Sequence, residues 1–172
     1  MVDAIDRPSR KTKRISLKRI TRALMIAAAI PALVVAASGS ASADDWVSWK
    51  NAKSGKLLIF GISDHLGEVK GGVPGTGWDY EWWDIQNSDG SWNETQGTNL
   101  GRCLTGYYRQ VYTEPCNAWR DGTNSWQRWS EISTSTGWKL QNRQTGYVLD
   151  DEGSGGIYAN ETDWNNSNQR WK

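Results

Sequence analysis

Gln127-Arg128-Trp129-Ser130-Glu131-Ile132 and Gln169-Arg170-Trp171-Lys172 are two copies of one ending, and Glu81-Trp82-Trp83-Asp84-Ile85 is a worn third. With the closing tryptophan placed at 83, 129 and 171, the copies lie 46 and then 42 residues apart. The beginnings recur with them. Ser54-Gly55-Lys56-Leu57-Leu58 aligns with Leu100-Gly101-Arg102-Cys103-Leu104 and with Thr145-Gly146-Tyr147-Val148-Leu149, and the glycines are 46 and 45 residues apart. Two landmarks sharing one period define a structural repeat. Units this short cannot bury an apolar face alone, so three of them must share one core.

Within each unit the apolar residues come in short runs, such as Leu57-Leu58-Ile59-Phe60 and Gly146-Tyr147-Val148-Leu149. Turn clusters separate them, among them Asn87-Ser88-Asp89-Gly90 and Glu152-Gly153-Ser154-Gly155-Gly156. After residue 43 no stretch sustains a 3.6-residue apolar period over three turns, so the chain reads as all-β. All 12 Trp follow residue 43, while aliphatic residues are sparse, so the shared core must be built largely from indole rings.

Residues 1–43 have a different composition. Eight basic residues fall within the first 22, a 15-residue apolar run spans Ala23 to Ala37, and Ala41-Ser42-Ala43 closes the segment. Basic head, apolar middle and A-x-A end are the parts of a cleaved secretory signal peptide, and the apolar run is shorter than the ~18 residues a membrane span needs. Residues 44–172 then form the folded domain, with repeats at about 44–87, 88–132 and 133–172. That domain has 12 basic and 17 acidic residues, a net charge of −5, and carries no basic cluster to hold nucleic acid. Its two cysteines, Cys103 and Cys116, read as one disulfide in an exported chain, since a metal site would need more ligands.

Three units of about 42 residues, each closing in Q-x-W or a near copy, resemble the ricin B-type lectin family. The resemblance covers residues 46–172 and implies a β-trefoil: three four-stranded units forming a barrel capped by hairpins. It implies that Gln127, Trp129, Trp83 and Trp171 are structural, the tryptophans filling the core and the glutamine bracing a turn. It also implies one sugar site per competent repeat, built from an Asp two residues after the first Cys position, groups on the facing strand, and an Asn before Q-x-W.

Carried onto the third repeat, these positions give Asp150, Tyr158 and Asn160 on two facing strands, and Asn168 and Gln169 at the ending. Trp164 is available as a stacking ring. The chemistry suits a sugar: one carboxylate accepts from two vicinal hydroxyls, an amide donates and accepts beside it, and a ring covers the C–H face. Asn160 departs from the pattern, standing where a stacking aromatic is common. The second repeat has Thr105 for the Asp, Glu114 in the stacking position and Trp126 for the Asn. The first has Ile59 for the Asp and Glu81 for the Gln. Both of those sites are expected to be lost.

The expected function is therefore a secreted, non-catalytic carbohydrate-binding module without cofactor or metal. The acidic turn Asp150-Asp151-Glu152 supplies too few regularly spaced oxygens for a calcium loop. The single His65 has no nucleophile partner evident in the sequence, so no enzyme is expected. The alternative is a protein-binding trefoil, an adaptor or subunit of a secreted assembly or a hydrolase inhibitor. Tyr107-Tyr108 and Trp119-Arg120-Asp121-Gly122 serve either to cap the barrel or as an exposed contact patch.

Overall fold

A computed structural model describes residues 44–97, 101–117 and 123–172. The expected leader, 1–43, and the loop segment 119–122 lie outside the described residues. Twelve strands are described, with three single turns of 3-10 helix at Ser63–His65, Ser125–Gln127 and Ser167–Gln169. The first repeat contains β1 (Asp45–Val47), β2 (Leu57–Gly61), β3 (Val69–Gly72), β4 (Trp78–Asp79) and β5 (Trp82–Gln86). The second contains β6 (Trp92–Gln96), β7 (Arg102–Tyr107), β8 (Gln110–Pro115) and β9 (Trp129–Thr134). The third contains β10 (Gly137–Asn142), β11 (Val148–Asp151) and β12 (Ile157–Asn160). The fold is all-β, as the short apolar runs predict.

Nine strands pair in the order β1-β5-β6-β7-β8-β12-β11-β10-β9, and a further β6–β9 pairing closes seven of them into a barrel. The remaining three form a small sheet, β3-β2-β4. The repeat shows in the chemistry of the core. Trp82 Nε1 donates to the Leu58 carbonyl at 3.0 Å, Trp129 Nε1 to Leu104 at 2.9 Å and Trp171 Nε1 to Leu149 at 3.1 Å. All six side chains are fully buried and pack in one cluster with Trp49, Phe60 and Leu140. Each indole thus brings a large apolar area inside and satisfies its one polar atom on a strand carbonyl. Removing one such ring costs about 3–5 kcal/mol.

One expectation is corrected here. The closing tryptophan of the first unit is Trp82, not Trp83. Trp83 is half-buried and packs edge-on against the exposed Trp46, at 5.1 Å between ring centroids. Successive side chains of a strand face opposite ways, so only one of two adjacent tryptophans can enter the core. Spacing from a degenerate ending, where Glu81 was aligned with the missing Gln, selected the wrong one.

The glycines that marked the three heads share a backbone reason. Gly55, Gly101 and Gly146 have φ of 71°, 56° and 73°, a region that costs little only without a Cβ. In the first and third repeats the turn before this glycine is built identically. Asn51 Oδ1 accepts from Lys53 N and Ser54 N, and Asn142 Oδ1 accepts from Gln144 N and Thr145 N. Their amides donate to the Asn168 and Trp126 carbonyls, tying the first repeat's turn to the ending of the third unit and the third repeat's turn to the ending of the second. The expected disulfide is formed: Cys103 and Cys116 are joined, with Cα atoms 5.0 Å apart, across the β7–β8 pair. Among the described residues no helix is long and apolar enough to cross a membrane.

Candidate functional site

Strands β11 and β12 pair so that Asp150 stands directly opposite Tyr158. The Ser167–Gln169 turn brings Gln169 up beneath them. Gln169 Nε2 donates to Asp150 Oδ2 at 2.9 Å and to the Glu161 carbonyl at 2.9 Å, while its Oε1 accepts from Asp163 N at 2.8 Å and Lys139 Nζ at 3.1 Å. All four hydrogen-bonding positions of the amide are used, so its orientation is fixed. Asn166 Nδ2 donates to the same Asp150 Oδ2 at 3.0 Å. The other carboxylate oxygen, Oδ1, is buried and accepts no hydrogen bond. Burial raises the Asp150 pKa above the usual carboxylate range, and the Gln169 hydrogen bond opposes that shift only in part. Burial and the Asp150 charge raise Tyr158 in turn.

The outer edge of the site comes from the second repeat. The β7–β8 turn places Arg109 with its guanidinium 5.1 Å from the Tyr158 ring centroid and Nη1 donating to Asn160 Oδ1 at 2.7 Å. Beside it, Tyr107, Tyr108, Arg109 and Gln110 line a shallow depression of about 310 Å³. Tyr107 and Tyr108 are 47% and 59% exposed, which favours the contact-patch reading over the barrel-cap reading. They pack on Trp126, with ring centroids 4.9 and 5.4 Å away, and Tyr108 has a left-handed φ of 51°, uncommon for an aromatic residue.

Asp150, Gln169 and Tyr158 are therefore brought together, and Asn160 joins them through Arg109. Trp164 and Asn168 are not part of this group. Trp164 is exposed and lies over Lys139 Nζ, 4.6 Å from its ring centroid, beside a cleft of about 280 Å³ shared with Thr136 and Arg170. Asn168 uses its N–H on Asn166 Oδ1 and its carbonyl on Asn51. The amide that reaches Asp150 is Asn166, which sequence reasoning missed. A signal for it was present: Asn124 and Asn166 both stand three residues before the glutamine, and both cap its turn, accepting from Trp126 N and Asn168 N. Lys139, buried and held by Thr162 Oγ1, the Asp163 carbonyl and Gln169, was also missed. Burial and the nearby Arg170 charge lower its pKa.

A second polar cluster lies among the barrel strands. Asp84 on β5 stands opposite Glu94 on β6, and Glu131 on β9 joins them. One oxygen from each carboxyl lies within 4.8 Å of the others. Glu94 is fully buried and accepts from Trp49 Nε1 at 3.0 Å, and Asp84 is 4% exposed. Burial, with mutual repulsion added, pushes Asp84 up to about 11 and Glu94 well above its ordinary value. Burial also raises Glu131. These three are scattered over two repeats in sequence, so no local motif announces them.

The chain matches no family model and no curated protein sequence. Solved structures share its fold at low identity. Cry35Ab1 is 17% identical with a TM-score of 0.64, the match covering 73% of this chain and 34% of that one. The GlcNAcα1-4Gal-releasing endo-β-galactosidase of Clostridium perfringens is 17% identical with a TM-score of 0.59, covering 74% of this chain and 31% of that one. This chain thus spans about a third of the length of each. The designed 3-fold symmetric protein ThreeFoil is 18% identical with a TM-score of 0.55, covering 74% of this chain and 96% of that one.

Proposed function

We propose that this protein is a secreted, non-catalytic carbohydrate-binding β-trefoil of the ricin B type, with residues 1–43 as its cleaved leader and the third repeat as its working site. The observation that carries this reading is the state of Asp150. One carboxylate oxygen is fixed by two amide donors, Gln169 and Asn166, and the other is buried without a hydrogen-bond partner of good geometry, the Tyr158 hydroxyl being the donor beside the carboxylate. A buried acceptor without a partner is costly, and a sugar hydroxyl is the donor that removes the cost. Tyr158 and Asn166, both partly exposed, flank Asp150, so a hydroxyl would reach the buried carboxylate by displacing or passing them. Arg109 and Asn160 supply further donors and acceptors at the rim, and Tyr158 with the neighbouring Tyr108 supplies ring faces for sugar C–H groups. The disulfide and the likeness to a designed threefold protein support the export and trefoil parts of the reading.

A glycan-array screen of the protein beside Asp150→Asn tests it. The substitution keeps the shape and removes the charge. Binding to a defined glycan that falls at least tenfold in the variant is expected. A native protein that binds no glycan, or a variant that binds equally well, overturns the reading.

The exposed Tyr107 and Tyr108, packed on the partly buried Trp126, favour a second reading, a protein-binding trefoil that acts as an adaptor, a subunit of a secreted assembly or a hydrolase inhibitor. Aromatic clusters of this kind anchor protein interfaces. In that case Tyr108→Ser abolishes a stable complex with a secreted partner, whereas Asp150→Asn leaves it intact.

A further inference from the structure

The Asp84–Glu94–Glu131 cluster takes no part in the sugar site, and the repeat makes its position unusual. The strand register that aligns Leu57, Cys103 and Val148 also aligns Trp49, Glu94 and Leu140. Two repeats place an apolar side chain at this core position, and the second places a carboxylate. Asp84 and Glu131 are likewise equivalent, each two residues after its closing tryptophan. The cluster is therefore formed where two related strands converge on the one core position that departs from the repeat.

Three carboxyl groups have been collected with few donors to satisfy them. Asp84 Oδ1, Glu94 Oε1 and Glu131 Oε1 are all buried and accept no hydrogen bond from any group outside the cluster, where Glu131 is the hydrogen-bonding neighbour of both Asp84 and Glu94, and two of these side chains are more than nine-tenths buried. The indole N–H of Trp49 serves only the remaining Glu94 oxygen. Among the described residues none of the ion pairs brings a Lys or Arg to any of the three. A cavity of about 350 Å³ opens onto Asp84 and Glu131 and gives a route from solvent. Its lining includes Asp45, exposed and opposite Asp84 in register, and Lys172, also exposed. Orphaned, inward-facing oxygens at the end of an open cavity call for a cation.

We propose that Asp84, Glu94 and Glu131 form a binding site for one divalent cation of the Ca²⁺ type. An all-carboxylate donor set selects a hard cation over the transition metals that favour imidazole or thiolate. Size selects between the hard cations. Two oxygens on one Ca²⁺, each at about 2.4 Å, can stand up to about 4.8 Å apart, against about 4.2 Å for Mg²⁺. Oxygens that lie within 4.8 Å of one another suit the longer and more flexible shell of Ca²⁺ better than the short, near-ideal octahedron of Mg²⁺, and a small closing of the carboxyl groups brings all three to one ion. Waters in the cavity complete the shell. Bound there, the cation would link β5, β6 and β9, and so the first repeat to the second.

The test uses the protein stripped with a chelator. Trp49 and Trp92 line the same cavity, so indole excitation should sensitise emission from Tb³⁺ bound at the cluster, saturating at one equivalent of Tb³⁺, and excess Ca²⁺ should quench it by competition. Calorimetric titration with Ca²⁺ and Mg²⁺ measures the preference, expected to favour Ca²⁺ at least tenfold. Glu131→Gln and, separately, Glu94→Gln should each weaken binding at least tenfold and remove the Ca²⁺-dependent rise in melting temperature. Glu131 is partly exposed, so its variant is the safer of the two for folding. Asp150→Asn should bind Ca²⁺ normally, which separates this site from the Asp150-Asp151-Glu152 turn. A folded native protein that binds neither Tb³⁺ nor millimolar Ca²⁺ overturns the proposal, because the carboxyls are then held together by shared protons alone. Ca²⁺ binding that survives in both Gln variants overturns it as well.

Discussion

The second and third repeats hold the same glutamine in the same place and use it differently. Gln127 Oε1 accepts from Asn117 N and its amide donates to the Pro115 carbonyl; Gln169 does the same with Asp163 N and the Glu161 carbonyl. The carboxylate each amide meets comes from opposite strands. In the second repeat it is Glu114, on the return strand, which accepts from Gln127 and from Thr105 Oγ1 through one oxygen and is partly exposed. In the third it is Asp150, on the outgoing strand, fully buried, with one oxygen left over. The glutamine brace is thus part of the fold, and the repeats differ in whether the second oxygen of the carboxylate beside it is buried, as in Asp150, or within reach of water, as in Glu114.

The strongest way to break this comparison is to remove the brace itself. Gln169→Ala takes an acceptor from the buried Lys139 and one of two donors from Asp150, and should cost about 3 kcal/mol. Gln127→Ala leaves Glu114, which water can reach, and should cost about 1–2 kcal/mol. Urea denaturation of the two variants checks the order, and equal losses would mean the two networks are equivalent.

Next in size is the tie that the second repeat has and the third lacks. Opening the Cys103–Cys116 bridge by a double Ser substitution releases a loop whose ends are 13 residues apart. The chain-entropy ceiling for such a loop is about 3 kcal/mol, and since the β7–β8 pairing remains, a loss of about 2 kcal/mol is expected by the same measurement.

How much of this could be read from the sequence depends on what kind of feature was sought. The three units were legible because their landmarks answer to local physics: a glycine where φ is positive, a leucine and a tryptophan in one core, a cysteine pair across one hairpin. Asp150 and Gln169 were legible because the resemblance fixes their positions. Trp83 was misassigned because spacing cannot tell which of two adjacent rings faces inward. The Asn directly before the ending, Asn168, is the one the resemblance points to, and Asn166 is the one that reaches Asp150, because the turn, not the linear order, decides which amide meets the carboxylate. Arg109 and the Asp84–Glu94–Glu131 group depend on strands from different repeats coming together, which no single-repeat alignment contains.

A smaller effect sharpens the comparison by moving the site. Thr105→Asp with Glu114→Asn gives the second repeat the third repeat's arrangement. Placed in an Asp150→Asn background, the pair should restore part of the glycan binding, within about tenfold of the native protein, or 1.4 kcal/mol. If binding stays absent, the carboxylate and its amides are insufficient, and Arg109, brought to the third repeat from the β7–β8 turn, contributes what the second repeat lacks.

The smallest effect is in the pH dependence of stability. Asp150 has a pKa raised above its unfolded value of 3.8, chiefly by burial, so the folded state binds its proton more tightly than the unfolded chain does. Its contribution is therefore fully present below about pH 3.8 and is lost as pH rises through the folded pKa. Asp89 on the surface has the opposite sign. The Ser91 hydroxyl, helped by Arg128 and Arg143, lowers its pKa, so its contribution is present above 3.8 and lost as pH falls. The two oppose each other, and the Asp84–Glu94–Glu131 cluster adds larger shifts of the same sign as Asp150, so the whole-protein profile hides both and the difference between native and Asp150→Asn isolates one. That difference should favour the native protein near pH 4 and shift toward the variant by pH 7 in paired denaturation curves. Glycan binding should run the other way, weakening as acid protonates Asp150 at a higher pH than an ordinary carboxylate requires. Stability and binding that move together with pH would show that the carboxylate is needed for the fold, not for a ligand.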